Sequence, residues 1–164
     1  MRLDITKIAH VILYLLDEEV QYLNDKKLSI LLFLMDYNHM THCGEKIFGE
    51  TYIKAARQPE PVVLAELFDI IANEEDLDEE DPRLFLIQEL LNFLDIELIA
   101  KRNHIALEFI KMEESFDASL FSKEELKTIQ KVTTKYHDIS PRNIANECFK
   151  IEKVRESALT EVII

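Results

Sequence analysis

Residues 28–63 read LSILLFLMDYNHMTHCGEKIFGETYIKAARQPEPVV, and the order of chemical types in this stretch decides what fold the chain can make. The run at 28–35 is apolar on nearly every side, so a helix there has to lie inside the molecule rather than on it. The pattern predicts that this helix starts at Lys26, turns polar at Asp36, continues to about His42 and ends near Gly44. A short extended run, Thr51-Tyr52-Ile53, follows; Gly49 introduces it, and Pro59 and Pro61 close it. Gly44 and Gly49 are the two glycines of the chain. Both stand where a helix end and a tight turn call for a positive φ, which only glycine adopts without strain.

Outward from this centre the hydrophobic period assigns the remaining elements. Ile5, Ile8, Ala9, Ile12, Leu15, Leu16 and Val20 repeat at helical spacing and predict a first helix that ends around Asn24 and Asp25. A third helix is expected from about Val62 to Ala72. Pro82 suits the first turn of a fourth, whose stripe is Leu84, Ile87, Leu90 and Leu91. The period then becomes two: Leu94, Ile96, Leu98 and Ala100, then Ile105, Leu107 and Phe109, alternate with other residues as in half-buried strands. Arg102-Asn103-His104 is the expected turn between them. A lone hairpin is marginal in water, so it has to be completed by the Tyr52 strand or covered by helices. Ser122-Lys123-Glu124-Glu125 is a capping box with Phe121 and Leu126 at staple positions. Ser140-Pro141 is a cap followed by proline at the first helical position. The expected fold is α+β: one mainly helical domain of five to six helices with a small antiparallel sheet or hairpin, spanning 1–155. Residues 156–164, ending in Val162-Ile163-Ile164, lose the pattern and read as a C-terminal tail that docks on the domain or is read by a protease.

Composition narrows the function. The chain has 164 residues, 32 acidic against 19 basic, for a formal charge of −13; a chain of about 150 residues can bury roughly 70% of its surface in one core. Between Glu74 and Glu97 ten acids face one base, Arg83. Such a surface repels phosphates and lipid headgroups and draws basic proteins from a distance, so direct nucleic-acid or membrane binding is not expected. The apolar run at 28–35 is too short for a membrane span, and the N-terminal segment reads as helix rather than signal peptide. Cys43 and Cys148, far apart and without CxxC spacing, fit free thiols in a reducing cytoplasm.

Four chemistries come into question from the residue types present. Asp36, His39 and His42 share one helix stripe, and their side chains suit zinc or iron, which gives a metal-dependent enzyme as the rival reading. Against it, no second His or Cys cluster closes a four-ligand site, so no metal and no cofactor is expected. The simpler reading makes these residues the polar rim of a buried helix, with Asp36 placed to accept hydrogen bonds from the Tyr52 strand or its turn. Thiol catalysis lacks an orienting acid beside Cys43 and a glycine turn beside Cys148. The acids between Glu74 and Asp81 lack the spacing of a calcium loop, and two glycines so placed make no phosphate loop. No catalytic residue is expected.

The central block, with Leu32 to His39, Cys43-Gly44, Phe48-Gly49-Glu50-Thr51-Tyr52 and Pro59-Glu60-Pro61-Val62, resembles the Panacea, or SocA-like, antitoxin domain of bacteria and their phages. That family runs from an apolar helix through an acidic residue into a Gly-x-x-Gly/Thr-Tyr-like strand and then a Gly-Pro-Val-Pro-like element. The departure is at Gln58-Pro59-Glu60, where the family more often has an aromatic residue and a glycine. The resemblance covers about Ile5 to Phe149. It implies an antitoxin that neutralises a cognate toxin by direct binding, with a proteolytic-adaptor route as the second mechanism, and no enzymatic activity. It further implies toxin contact around Asp36, Gly49, Thr51, Tyr52, Pro59 and Pro61, and as partners a toxin, expected to be basic, and, on the adaptor route, a protease. A phage-derived interaction module without a toxin is the remaining alternative.

Overall fold

A computed structural model describes residues 3–164. Its centre is the helix the apolar run requires: α2, Asp25–Cys43, is buried continuously from Lys27 to Asp36. Asn24 caps it, accepting from the Lys27 amide at 2.9 Å, and Gly44 ends it at φ 80°. Around it lie α1 (Ile5–Asp17), α3 (Val62–Ala72), α4 (Pro82–Leu91), α5 (Lys123–Tyr136), α6 (Pro141–Cys148) and the short α7 (Glu152–Glu156). Strands β1 (Tyr52–Lys54), β2 (Pro59–Pro61), β3 (Leu94–Ala100) and β4 (Ile105–Lys111) complete the fold with one 3-10 turn at Ala118–Leu120. This is the α+β domain expected, one helix richer than five to six because α7 falls where the hydrophobic pattern had faded.

The strands form two separate antiparallel pairs. β3 and β4 pair from Leu94 with Lys111 to Ala100 with Ile105, which puts Ile96, Leu98, Leu107 and Phe109 on one face. That face is covered by α1, α2, α3 and α4. Helices rather than the Tyr52 strand therefore complete the hairpin. β1 pairs instead with β2, in the register Tyr52 with Pro61 and Lys54 with Pro59. Pro59 and Pro61 thus belong to a strand of their own before α3 begins, where sequence had them only closing one. A two-stranded edge tolerates residues without an N–H to donate.

α1 stops at Asp17, well short of the expected end. The Glu19 amide reaches the Leu16 carbonyl and the Val20 amide the Leu15 carbonyl, both at 3.1 Å, with Glu19 at φ 55°. These are the paired bonds of a Schellman ending, normally built on glycine. α3 ends the same way through Glu74, at φ 52°, with bonds from Glu74 to Ile71 and from Glu75 to Ile70. The linker after α1 is anchored by Lys27, which is fully buried and donates to the Gln21 and His137 carbonyls at 2.7 and 3.1 Å. Burial lowers its ammonium to about 8.

Both C-terminal capping predictions hold. Ser122 accepts from the Glu125 amide at 3.1 Å, and the Glu125 carboxylate accepts from the Ser122 amide at 2.8 Å. Ser140 caps α6 through the Asn143 amide. The last residues run beside β1: Thr160 donates to the Lys54 carbonyl, Lys54 to Glu161, Ile163 to Tyr52 and Tyr52 to Ile164. Ile163 is buried, and Val162 bridges to Ile53. Lys54 ties the same corner together, donating from Nζ to the Val154 carbonyl at 2.6 Å and lying 5.2 Å from the Phe149 ring centre.

Candidate functional site: a carboxylate-held connection

The connection from α2 to α3 is organised by two buried carboxylates. Asp36 stands where the apolar run of α2 ends, and it is fully buried. Its Oδ1 accepts from the Ile47 and Phe48 amides at 2.6 and 3.1 Å, and its Oδ2 accepts from the Tyr52 hydroxyl at 2.7 Å. One side chain therefore fixes both the turn after Gly44 and the start of β1. Burial pushes its carboxyl up to about 6 against the three hydrogen bonds and Lys46, which favour the charged form. Burial, then the neighbouring Asp36, raises the Tyr52 phenol well above its ordinary value, so it stays a donor.

Glu50 is the second carboxylate, one residue past Gly49, which sits at φ 72°. Its Oε1 accepts from the Thr51 and Val63 amides at 2.8 and 3.2 Å, and its Oε2 from the Leu64 amide at 2.9 Å. α3 starts after Pro61, which offers no side-chain cap, so Glu50 supplies the acceptors its first amides need and places a negative charge at the positive end of the helix dipole. Sequence reasoning did not single out Glu50. The usable signal was a helix start with no Ser, Thr, Asp or Asn before it, which has to be capped from elsewhere in the chain.

The six residues implied as toxin contacts thus occupy different environments. Asp36, Tyr52, Pro59 and Pro61 are buried, Gly49 is half-buried and Thr51 is exposed. The buried four shape the connection, whereas the surface they hold out is Thr51 with Ala56 and Arg57 at the tip between β1 and β2. His39 is also buried, with Nδ1 2.7 Å from the Glu45 carbonyl and Nε2 without a partner among the described residues. His42 and Cys43 are exposed at the end of α2. The stripe Asp36, His39 and His42 therefore does not converge, and among the described residues no group of three or more His, Cys, Asp or Glu side chains is arranged to hold a metal ion. Cys148 is buried and its thiol is pushed up to about 12 by that burial, which removes it as a nucleophile at neutral pH. No described helix is long and apolar enough to cross a membrane.

The apolar central helix, its acidic end, the glycine turn and the short proline-bearing hairpin form the core of an antitoxin-type domain. The family model described as "Antitoxin SocA-like, Panacea domain" matches residues 28–150, from the first turn of α2 to just past α6, and the chain belongs to that family. No curated protein and no solved structure matches the chain.

Proposed function

We propose that this chain is an antitoxin that neutralises a toxin by binding it directly and covering the surface the toxin needs, without turnover of its own. The observation that carries the reading is the family match over residues 28–150. The surface supports it. Glu74, Glu75, Asp76, Asp78, Glu79 and Glu80 are all exposed between α3 and α4, a field that steers a basic protein into encounter. Phe85, 61% exposed on the first turns of α4, offers an aromatic anchor beside that field. The proposed role of Asp36, Gly49, Tyr52, Pro59 and Pro61 is to present Thr51 and the hairpin tip in a fixed shape, so that little entropy is lost on docking. Occlusion is preferred to protease delivery through the C-terminus, because Ile163 is already buried against β1. The setting proposed is the cytoplasm, in keeping with Cys43 and Cys148 as free thiols.

The test is co-expression with each small gene found beside this one. A toxin neighbour is expected to arrest growth alone, to be rescued by this chain, and to copurify with it at a fixed ratio. Rescue that persists when the two proteins fail to associate, or that requires a host protease, overturns direct occlusion. Absence of any toxic neighbour, together with self-association of the pure chain, favours an interaction module of another kind.

A further inference from the structure

The acidic charge of the molecule is interrupted in one concave place. A cavity of about 830 Å³ opens between the first turn of α2, the tip between β1 and β2, the turn between β3 and β4, and the first turn of α6. Its charged and titratable lining is Lys26, Arg57, Arg142 and His104, one from each of those four places. Not one of the chain's 32 acidic residues lines it. Lys26, Arg57 and Arg142 are exposed, as are other bases unpaired among the described residues, such as Lys123, Lys127 and Lys131, but these three surround one concavity. Among the described residues Lys26, Arg57 and Arg142 form no ion pair. Three like charges held around one concavity repel one another, a cost that an anionic occupant removes.

The geometry points to a carboxylate-rich segment of a protein partner as that occupant, and we propose this basin as a docking site for an acidic peptide. Two features favour an extended peptide over a small phosphate. First, the basin is open to solvent rather than a closed hole, and a second concavity of about 350 Å³ adjoins it across Lys26, Ala56, Arg57 and Gln58, leaving room for a chain to run on. Second, the two helix starts at its rim are already capped by their own side chains, Asn24 on the Lys27 amide and Ser140 on the Asn143 amide. Neither glycine lines the basin to let a backbone wrap a phosphate. Side-chain cations on separate elements suit carboxylates spaced along a chain, while Pro141, Ala145 and Phe149 give the groove an apolar floor. The second cavity carries Asp25, Glu60 and Asp69, so the acidic part of the ligand ends at Arg57. The basin shares Arg57 at the hairpin tip with the surface proposed for the toxin, but its charge is opposite to the 74–80 face, and the peptide test below reads it without the toxin.

The test uses the full chain and a fluorescein-labelled hexaglutamate peptide, read by fluorescence anisotropy at low ionic strength. A net charge of −13 repels this peptide as a whole, so any binding has to be local. Binding is expected, and labelled hexalysine, titrated separately, reports on the acidic face. R57E and R142E are each expected to weaken binding by about tenfold, and exposed Lys131, reversed in K131E on α5, to leave it unchanged. Arg57 and Arg142 are exposed; R57Q and R142Q, with thermal melts alongside, separate lost charge from lost fold. No binding of hexaglutamate, equal binding by the reversed variants, or tighter binding of inorganic pyrophosphate than of hexaglutamate would overturn the proposal.

Discussion

With three donors aimed at it and no surface open to solvent, the Asp36 carboxylate is pulled in two directions. Burial disfavours its charge, while the Ile47 and Phe48 amides and the Tyr52 hydroxyl favour it, and burial wins, moving it from 3.8 to about 6. A group raised in the folded state contributes most to stability below its unfolded value, and that contribution is lost as pH rises through the folded one. Asp36 therefore opposes ordinary acid denaturation between about pH 4 and 6. Tyr52→Phe deletes the hydroxyl that Oδ2 relies on. The expected loss is about 2 kcal/mol at about pH 8, where Asp36 is charged, shrinking to about 1 kcal/mol near pH 5, where it is protonated. Urea unfolding at the two pH values measures this, and an equal loss at both would remove the charged Asp36 as the cause. Asp36 was legible in the sequence because a lone acid ends an otherwise apolar helix run, and only the Tyr52 strand or its turn lay close enough to satisfy it. Glu50 was not legible in the same way. Its partners Val63 and Leu64 lie 13 and 14 positions away across two strands, and no local spacing encodes such a reach. His39 was read with its metal-binding side chain in view, yet what the fold uses is its Nδ1 on the Glu45 carbonyl.

Elements whose signals are local were read well, and those that depend on distant pairing were not. The capping box that starts α5 and the prolines that start α4 and α6 are written within four residues, and the period-two runs set β3 and β4. The end of α1 escaped because a glutamate, not glycine, takes the left-handed position at Glu19. The strand-like run at the C-terminus escaped because its partner is β1, more than a hundred residues earlier. That run caps the open edge of β1, and an open edge is a template for unwanted pairing. Removal of residues 160–164 deletes four backbone hydrogen bonds to Tyr52 and Lys54 and takes away Ile163, which is 1% exposed in the intact chain, uncovering the apolar surface it packs on. The expected cost is about 3 kcal/mol, since one buried isoleucine contributes about 2 and edge hydrogen bonds add the rest. Hydrogen exchange offers the sharper readout: the Tyr52 and Lys54 amides are expected to lose protection while those inside α2 keep theirs. Unchanged exchange at Tyr52 would mean that the terminal residues do not hold the β1 edge.

At the scale of the whole molecule, charge is separated by place. Six carboxylates between Glu74 and Glu80 stand in solvent at one region, and the basic basin of Lys26, Arg57 and Arg142 gathers at another. The acids of the first region contribute little to the fold: among these six no side chain forms an ion pair, and only Asp81 at the end of the loop is held, by Arg83. Replacing Glu74, Glu75, Asp76, Asp78, Glu79 and Glu80 by their amides is therefore expected to leave stability within about 0.5 kcal/mol, or to raise it by easing repulsion. The consequence for association is larger. If the acidic face steers a basic toxin, the intact chain binds quickly at low salt and more slowly as salt rises, because the Debye length falls from about 30 Å at 0.01 M to about 10 Å at 0.1 M. The amide variant is expected to associate about tenfold more slowly at low salt and to show a much flatter salt dependence, with its dissociation rate little changed, since rim charges act on encounter more than on residence. Stopped-flow mixing with the toxin recovered by co-expression measures both rates. A dissociation rate that rises sharply while association is untouched would place these carboxylates inside the contact rather than around it. An association rate indifferent to salt in the intact chain would mean that the excess negative charge keeps the protein soluble and plays no part in finding its partner.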